Sequence, residues 1–170
     1  AFIATNTAAA AAALMWMAIE WKVTGKPTIL GGATGAVAGL VAITPAAGFV
    51  SPISSIMIGL AVSIVCYTAV AVIKLKLAYD DSLDAFGVHG VGGMLGALLT
   101  GMFAQKSINP AGNDGLFFGN PHQLYVQFIA VAATVVYSAL VTFIIYKVVD
   151  AVVGMRVSEK EEAVGLDLSQ

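Results

Sequence analysis

The sequence has few charged residues, a single cysteine and no marked excess of either charge sign. Only 11% of its 170 residues are charged, and the formal net charge is −2. The lone Cys66 excludes an internal disulfide and says nothing about redox compartment. Because there is no basic excess, the sequence does not indicate a nucleic-acid partner.

Apolar residues are abundant instead, at 59% of the chain. Soluble domains contain roughly 45–50% apolar and about 25% charged residues. Several uncharged runs also reach the roughly 18 residues that indicate a membrane-spanning helix. We therefore predict an all-α, polytopic membrane helix bundle, with residues 1–154 forming the transmembrane region. About five spans are expected, at residues 2–21, 28–43, 53–75, 83–104 and 123–149, of which the second is too short to cross a bilayer comfortably without help.

The basic residues predict the orientation of these spans. With five spans, seven of the eight lysines and arginines fall on one side, and Lys106 alone falls on the other. Positive loops face the cytoplasm. We expect a multi-pass protein of the cytoplasmic (inner) membrane, with the N-terminus of this chain outside and residues 155–170 forming a cytoplasmic tail. Because the chain opens directly on a span-like run, we also expect it to be the second part of a longer protein.

One histidine lies inside a glycine-rich apolar run in the fourth predicted span. In an α-helix, Ala85, His89, Gly92, Gly93 and Gly96 would share one face, so the imidazole would point along a groove almost free of side chains. Titratable groups in membranes are costly and usually face a bundle interior or a conduction path. A neutral imidazole suits a small neutral molecule or a partner histidine, and no second ligand at metal spacing accompanies it. The alternative is a hydrogen bond to a neighbouring carbonyl that fixes helix packing, and both remain open.

Polar residues near this run have two interpretations each. Asp84 caps the fourth helix, or Asp81 and Asp84 together attract cations to a cytoplasmic vestibule. In the second span, glycines spaced by four predict close helix packing, and Thr34 places a hydroxyl at membrane depth beside them. His122, at the start of the fifth span, is expected to cap the helix or lie at the membrane interface.

The sequence DDSLDAFGVHGVGG at residues 80–93 resembles the signature around the second pore histidine of the Amt/Mep/Rh ammonium transporters, most closely the bacterial AmtB-type proteins. Shorter motifs agree with the family in the same order along the chain. They are GKPT at 25–28, GAVAGLV at 35–41, TPA at 44–46, HQL at 122–124 and GLD at 165–167.

This resemblance implies an eleven-span inverted-repeat fold, of which the chain matches spans seven to eleven. It further implies a homotrimer in which each subunit has a hydrophobic pore with a hydrogen-bonded histidine pair, His89 being one member. Two groups of residues match functional positions of the family. The pore positions are His89, Thr34, Ala85 and Val37. The tail positions, which would contact a PII-type (GlnK-like) regulator, are Arg156, Gly165, Leu166 and Asp167.

The activity implied is transport of ammonium or ammonia, with methylammonium as an analogue, and not an enzymatic reaction. No cofactor and no metal are implied. The partners would be lipid and the missing N-terminal half of the same protein, which would supply the first histidine. Two alternatives remain: an ammonium sensor of the same fold that binds and signals without conducting, and a structural membrane subunit with no pore.

Overall fold

The computed structural model describes residues 1–169, except for the side chains of Leu166 and Ser169. This part of the chain is helical and has no strand, which confirms the predicted all-α class. Seven helices are numbered here in chain order, and a short 3₁₀ turn, Leu116–Phe118, precedes the fifth. The helices are α1 Phe2–Thr24, α2 Ile29–Ile43, α3 Pro52–Leu77, α4 Phe86–Phe103, α5 Pro121–Val153, α6 Glu159–Val164 and α7 Leu166–Ser169.

Within the described residues, four helices are long and apolar enough to cross a membrane, namely α1, α3, α4 and α5. The remaining predicted span, the second along the chain, corresponds to α2, which contains 15 residues. At about 1.5 Å per residue it is about 22 Å long, which is shorter than the roughly 30 Å hydrocarbon core of a bilayer. Thr28 caps the N-terminus of α2, since its hydroxyl accepts a hydrogen bond from the backbone N–H of Gly31 at 2.8 Å.

The chain divides into two compact units, Ala1–Val131 and Ala132 onward. In the first unit, α1 packs against α2 and α3, and α4 packs against the same two helices. The second unit contains the later part of α5 together with α6 and α7, which contact each other. All the predicted pore positions belong to the first unit.

The first unit is held together by small residues on α1, α2 and α3. The buried face of α1 includes Ala4, Ala8 and Ala12. A Cβ added to Gly39 of α2 or to Gly59 of α3 would lie 2.7 or 2.4 Å from the carbonyl oxygen of Ala8. Only glycine permits these approaches, so the close packing predicted for the second-span glycines is confirmed.

Hydroxyl groups supplement this packing between α1 and α3. The buried Ser63 donates a hydrogen bond to the carbonyl oxygen of Ala12 at 2.6 Å. The hydroxyls of Thr7 and Ser55 are hydrogen-bonded to each other across the same interface. Because hydrocarbon offers no hydrogen-bond partners, these contacts satisfy hydroxyls that would otherwise be costly to bury.

Two π-helical turns lie opposite each other in α3 and α4. The first covers Ala69–Ile73, and the second, Phe86–Gly90, opens α4. Each has a backbone N–H that bonds to a carbonyl five residues earlier, such as Val91 to Phe86. The two turns contact each other, and a Cβ added to Gly87 would lie 2.7 Å from Cγ2 of Val70. Such turns are uncommon and often accompany functional sites.

Candidate functional site

His89 lies within the π-helical turn that opens α4, and its side chain is exposed in this chain. The glycines that follow it are directed elsewhere. Added Cβ atoms on Gly92 and Gly96 would lie 3.1 Å from Sγ of Cys66 and 2.3 Å from the carbonyl oxygen of Ala42. The glycine surface is thus occupied by α2 and α3, whereas His89 is exposed, so the glycines do not form the open groove that the sequence predicts beside the imidazole.

Three of the four predicted pore positions lie on the neighbouring helices α2 and α4, and the fourth, Ala85, immediately precedes α4. Near their later parts, α4 approaches Val41 and Ala42 of α2 through Gly92, Gly93 and Gly96. Helix α2 also contacts the π-helical turn of α4. His89 lies in that turn, three residues before Gly92.

The remaining pore positions lie at the same end of this helix pair. Val37 is 39% exposed, and Ala85, immediately before the π-helical turn, is also exposed. Thr34 is half-buried, and its hydroxyl donates to the carbonyl oxygen of Leu30 at 2.9 Å. The oxygen of that hydroxyl keeps lone pairs that can accept another hydrogen bond.

The start of α4 is anchored by two carboxylates, but not in the way that the sequence indicates. Asp81 accepts hydrogen bonds from the backbone N–H groups of Phe86 at 3.3 Å and Gly87 at 3.1 Å. Asp84, predicted as the capping residue, instead pairs with Lys74 of α3. We attribute this difference to Lys74, whose charge attracts the carboxylate of Asp84 more strongly than a neutral backbone N–H does.

The hydrogen bonds at Asp81 also affect its ionisation. Desolvation by burial would raise the pKa of Asp81, but the N–H groups of Gly87 and Phe86, helped by the charge on Lys74, outweigh it. The pKa of this carboxyl is therefore lower than its ordinary value. The side chain remains ionised at neutral pH and stays available to hold the turn that carries His89.

A cavity of about 210 Å³ lies beside Thr34. Its lining includes Trp16 and Tyr67, whose rings meet edge to face at 5.4 Å, and the carboxylate of Glu20. Glu20 accepts a hydrogen bond from the backbone N–H of Thr28 at 2.8 Å. The sequence reasoning missed Glu20, although it is the one acidic residue among the first 79.

The predicted tail positions are distributed over the last described residues. Arg156 is exposed next to Glu162, with which it lines a shallow depression. Gly165 has a φ of 94°, which favours glycine, and ends α6. Asp167 is exposed in α7, whereas the side chain of Leu166 lies outside the described part of the structure.

Two further observations concern titratable groups. His122 is exposed at the start of α5, with its ring centroid 6.1 Å from that of Tyr125. Among the residues that the structure describes, no three His, Cys, Asp or Glu side chains are grouped so that they could hold a metal ion.

Long apolar helices packed through glycine and alanine, with charges confined to their ends, define a multi-pass α-helical membrane protein. Comparison with known families identifies it more closely. The profile of the Ammonium Transporter Family matches residues 1–170. The chain therefore belongs to the ammonium transporter family, which confirms the resemblance inferred from the sequence.

Individual relatives agree with this assignment. The chain is 53% identical over 169 residues to the ammonium transporter of Bacillus subtilis, covering 99% of this chain and 42% of that protein. It is 53% identical over 170 residues to ammonium transporter Amt1 of Archaeoglobus fulgidus, covering 100% of this chain and 42% of that protein. The chain thus spans about two fifths of the length of these relatives.

Solved structures give the same result for the fold. The crystal structure of Saccharomyces cerevisiae Mep2 matches with a TM-score of 0.87 at 36% identity, over 93% of this chain and 37% of that one. A protein named Sensor Amt Protein matches with a TM-score of 0.86 at 32% identity, over 99% of this chain and 40% of that one.

Proposed function

We propose that this chain forms part of an ammonium transporter in which ammonia passes beside His89. The observation that carries the proposal is the exposed imidazole in the π-helical turn of a predicted span. An imidazole at membrane depth is costly against lipid and is expected to face protein or a conduction path. Since the relatives are more than twice as long as this chain, we infer that the rest of the protein covers this face.

The chemistry of the surrounding positions supports passage of a neutral molecule. A neutral imidazole offers one donor and one acceptor, which matches ammonia. Val37 and Ala85 supply apolar surface near it, and Thr34 supplies a hydroxyl oxygen. An ammonium ion would lose its hydration in such a path, so we propose that the proton is released before the apolar section. The second histidine of the pair would come from the remainder of the protein.

The assembly and its regulation are part of the same proposal. We infer a homotrimer in the cytoplasmic membrane, with the N-terminus of this chain outside and the tail in the cytoplasm. The exposed Arg156 and Asp167 support a role for the tail in contacting a PII-type regulator, because charged groups on one protein surface are recognised by complementary charges on its partner. A cation-attracting role for Asp81 and Asp84 finds less support, because the carboxylate of Asp84 pairs with Lys74 and that of Asp81 binds the N–H groups of Phe86 and Gly87.

A sensor is the second candidate function. It is favoured by the similarity to the protein named Sensor Amt Protein, which matches almost the whole chain. A sensor of this fold would bind ammonium and conduct little or none. The two candidates therefore differ in flux and not in binding.

Reconstitution of the complete protein in proteoliposomes tests the proposal. Methylammonium uptake is expected in the unmodified protein, and His89→Ala is expected to reduce it strongly. His122→Ala is the matched control, since it removes the other histidine, which is exposed at the start of α5. Binding without uptake would favour the sensor, and uptake unaffected by His89→Ala would contradict a pore role for this imidazole.

A further inference from the structure

Lys74 connects α3 to the start of α4 through two contacts. Its ammonium group donates to the backbone carbonyl oxygen of Asp81 at 3.0 Å and pairs with the carboxylate of Asp84. Lys74 follows directly after the π-helical turn of α3. Its two partners lie in the loop immediately before the π-helical turn that contains His89. One side chain therefore joins the ends of both wide turns.

The loop that Lys74 holds has an unfavourable backbone. Ala78 and Asp84 have φ values of 50° and 55°, in the left-handed region that non-glycine residues seldom adopt. Such conformations persist when surrounding contacts fix them. Asp84, one of these two residues, also forms the ion pair with Lys74. The side-chain contact and the unusual backbone therefore occur in the same residue.

The position of His89 follows from this loop through a short series of contacts. Asp81, whose carbonyl accepts from Lys74, also holds the N–H groups of Phe86 and Gly87 with its carboxylate. Gly87 in turn lies against Val70 of the opposite turn. His89 is two residues beyond Gly87 in the same turn, so a shift of the loop is transmitted to the imidazole.

We propose that Lys74 is a positioning residue for His89. By joining the two π-helical turns through Asp81 and Asp84, Lys74 fixes how deep the imidazole of His89 lies and in which direction it points. The inference rests on the proposed function, since it assigns Lys74 a role in transport. It concerns a residue at the end of the span, outside the set of pore positions.

A matched pair of lysine variants tests this role. Lys74→Met and Lys76→Met each remove one positive charge from the same end of α3, but Lys76 is exposed and makes no ion pair among the described residues. In proteoliposomes of the complete protein, the maximal methylammonium uptake per folded trimer should fall about tenfold in Lys74→Met, because misplacing a reacting group by about 1 Å can cost up to about 100-fold. The concentration for half-maximal uptake should stay unchanged. Lys74→Arg should restore most of the rate, and Lys76→Met should keep it.

Hydrogen–deuterium exchange gives a second measurement that does not depend on transport. Amides of residues 85–90 should exchange faster in Lys74→Met than in Lys76→Met or the unmodified protein. Equal exchange in the two variants, or a full maximal rate in Lys74→Met, would overturn the inference. If the unmodified protein shows no uptake, the proposed function fails while the exchange comparison still decides whether Lys74 holds the turn.

Discussion

Replacing Gly96 with alanine should destabilise the protein through a single contact between α4 and α2. A Cβ at this position would lie 2.3 Å from the carbonyl oxygen, 2.6 Å from Cα and 2.8 Å from the carbonyl carbon of Ala42. Ordinary contacts begin at about 3.4 Å. Because the atoms it meets belong to the backbone, they cannot turn aside, and α2 as a whole has to move by about 1 Å.

The expected magnitude follows from this forced movement. Overpacking a well-packed core costs about 1–3 kcal/mol, and a clash with three backbone atoms favours the upper part of that range. Alanine is also the better helix former by about 1 kcal/mol, which offsets part of the cost. Gly93→Ala is the matched control, since the same added methyl there would lie 3.8 Å from Cγ1 of Val41, an ordinary contact.

Unfolding of the complete protein in mixed micelles should reveal the difference between these variants. We expect Gly96→Ala to be about 2–3 kcal/mol less stable than Gly93→Ala, since helix propensity cancels between them and only the contact with α2 differs. Equal stability of the two variants would refute the reasoning, because it would mean that α2 does not lie against Gly96 as described.

Three further predictions concern polar contacts. Because the pKa of Asp81 is lowered in the folded protein, its carboxylate should stabilise the start of α4 fully above about pH 4, the unfolded-state pKa. This stabilisation should disappear as the pH falls through the lower folded-state pKa. Amide exchange measured across that pH range checks it, and Asp81→Asn should remove the pH dependence. Ser63→Ala should cost about 1 kcal/mol in the free energy of unfolding, because the bond to the carbonyl oxygen of Ala12 is lost while that carbonyl remains within a helix. Ser158→Ala should reduce the helicity of a peptide covering residues 155–169, since Ser158 and Glu161 form a capping box at the start of α6; an unchanged circular dichroism spectrum would contradict this.

The helices themselves could be predicted from the sequence because uncharged apolar runs leave few alternatives in a membrane protein. Each predicted span corresponds to one helix, with ends that differ by a few residues. The resemblance in residues 80–93 also identified the family, which the comparisons confirm. The helices depend on composition and the family assignment depends on local motifs, and both can be recognised in the amino-acid sequence.

The arrangement at the start of α4 could not be predicted in the same way. An α-helical period puts His89 and Gly96 on one face, but Gly96 is packed against Ala42 of α2 whereas His89 lies exposed in a π-helical turn. The turn is selected by contacts between helices, such as Gly87 against Val70, and these are not visible in the order of residues. The start of α4 is held by Asp81 and not by Asp84 for the same reason, since Asp84 is paired with Lys74 of another helix.

The shortness of α2 bears on how the protein is made. A helix of 15 residues is too short to cross the hydrocarbon core of a bilayer by itself. Its glycines fit the alanine face of α1, which is synthesised just before it. We expect the two segments to enter the bilayer as one hairpin, so that lengthening the connection at residues 25–28 would delay integration of α2 more than that of any later helix.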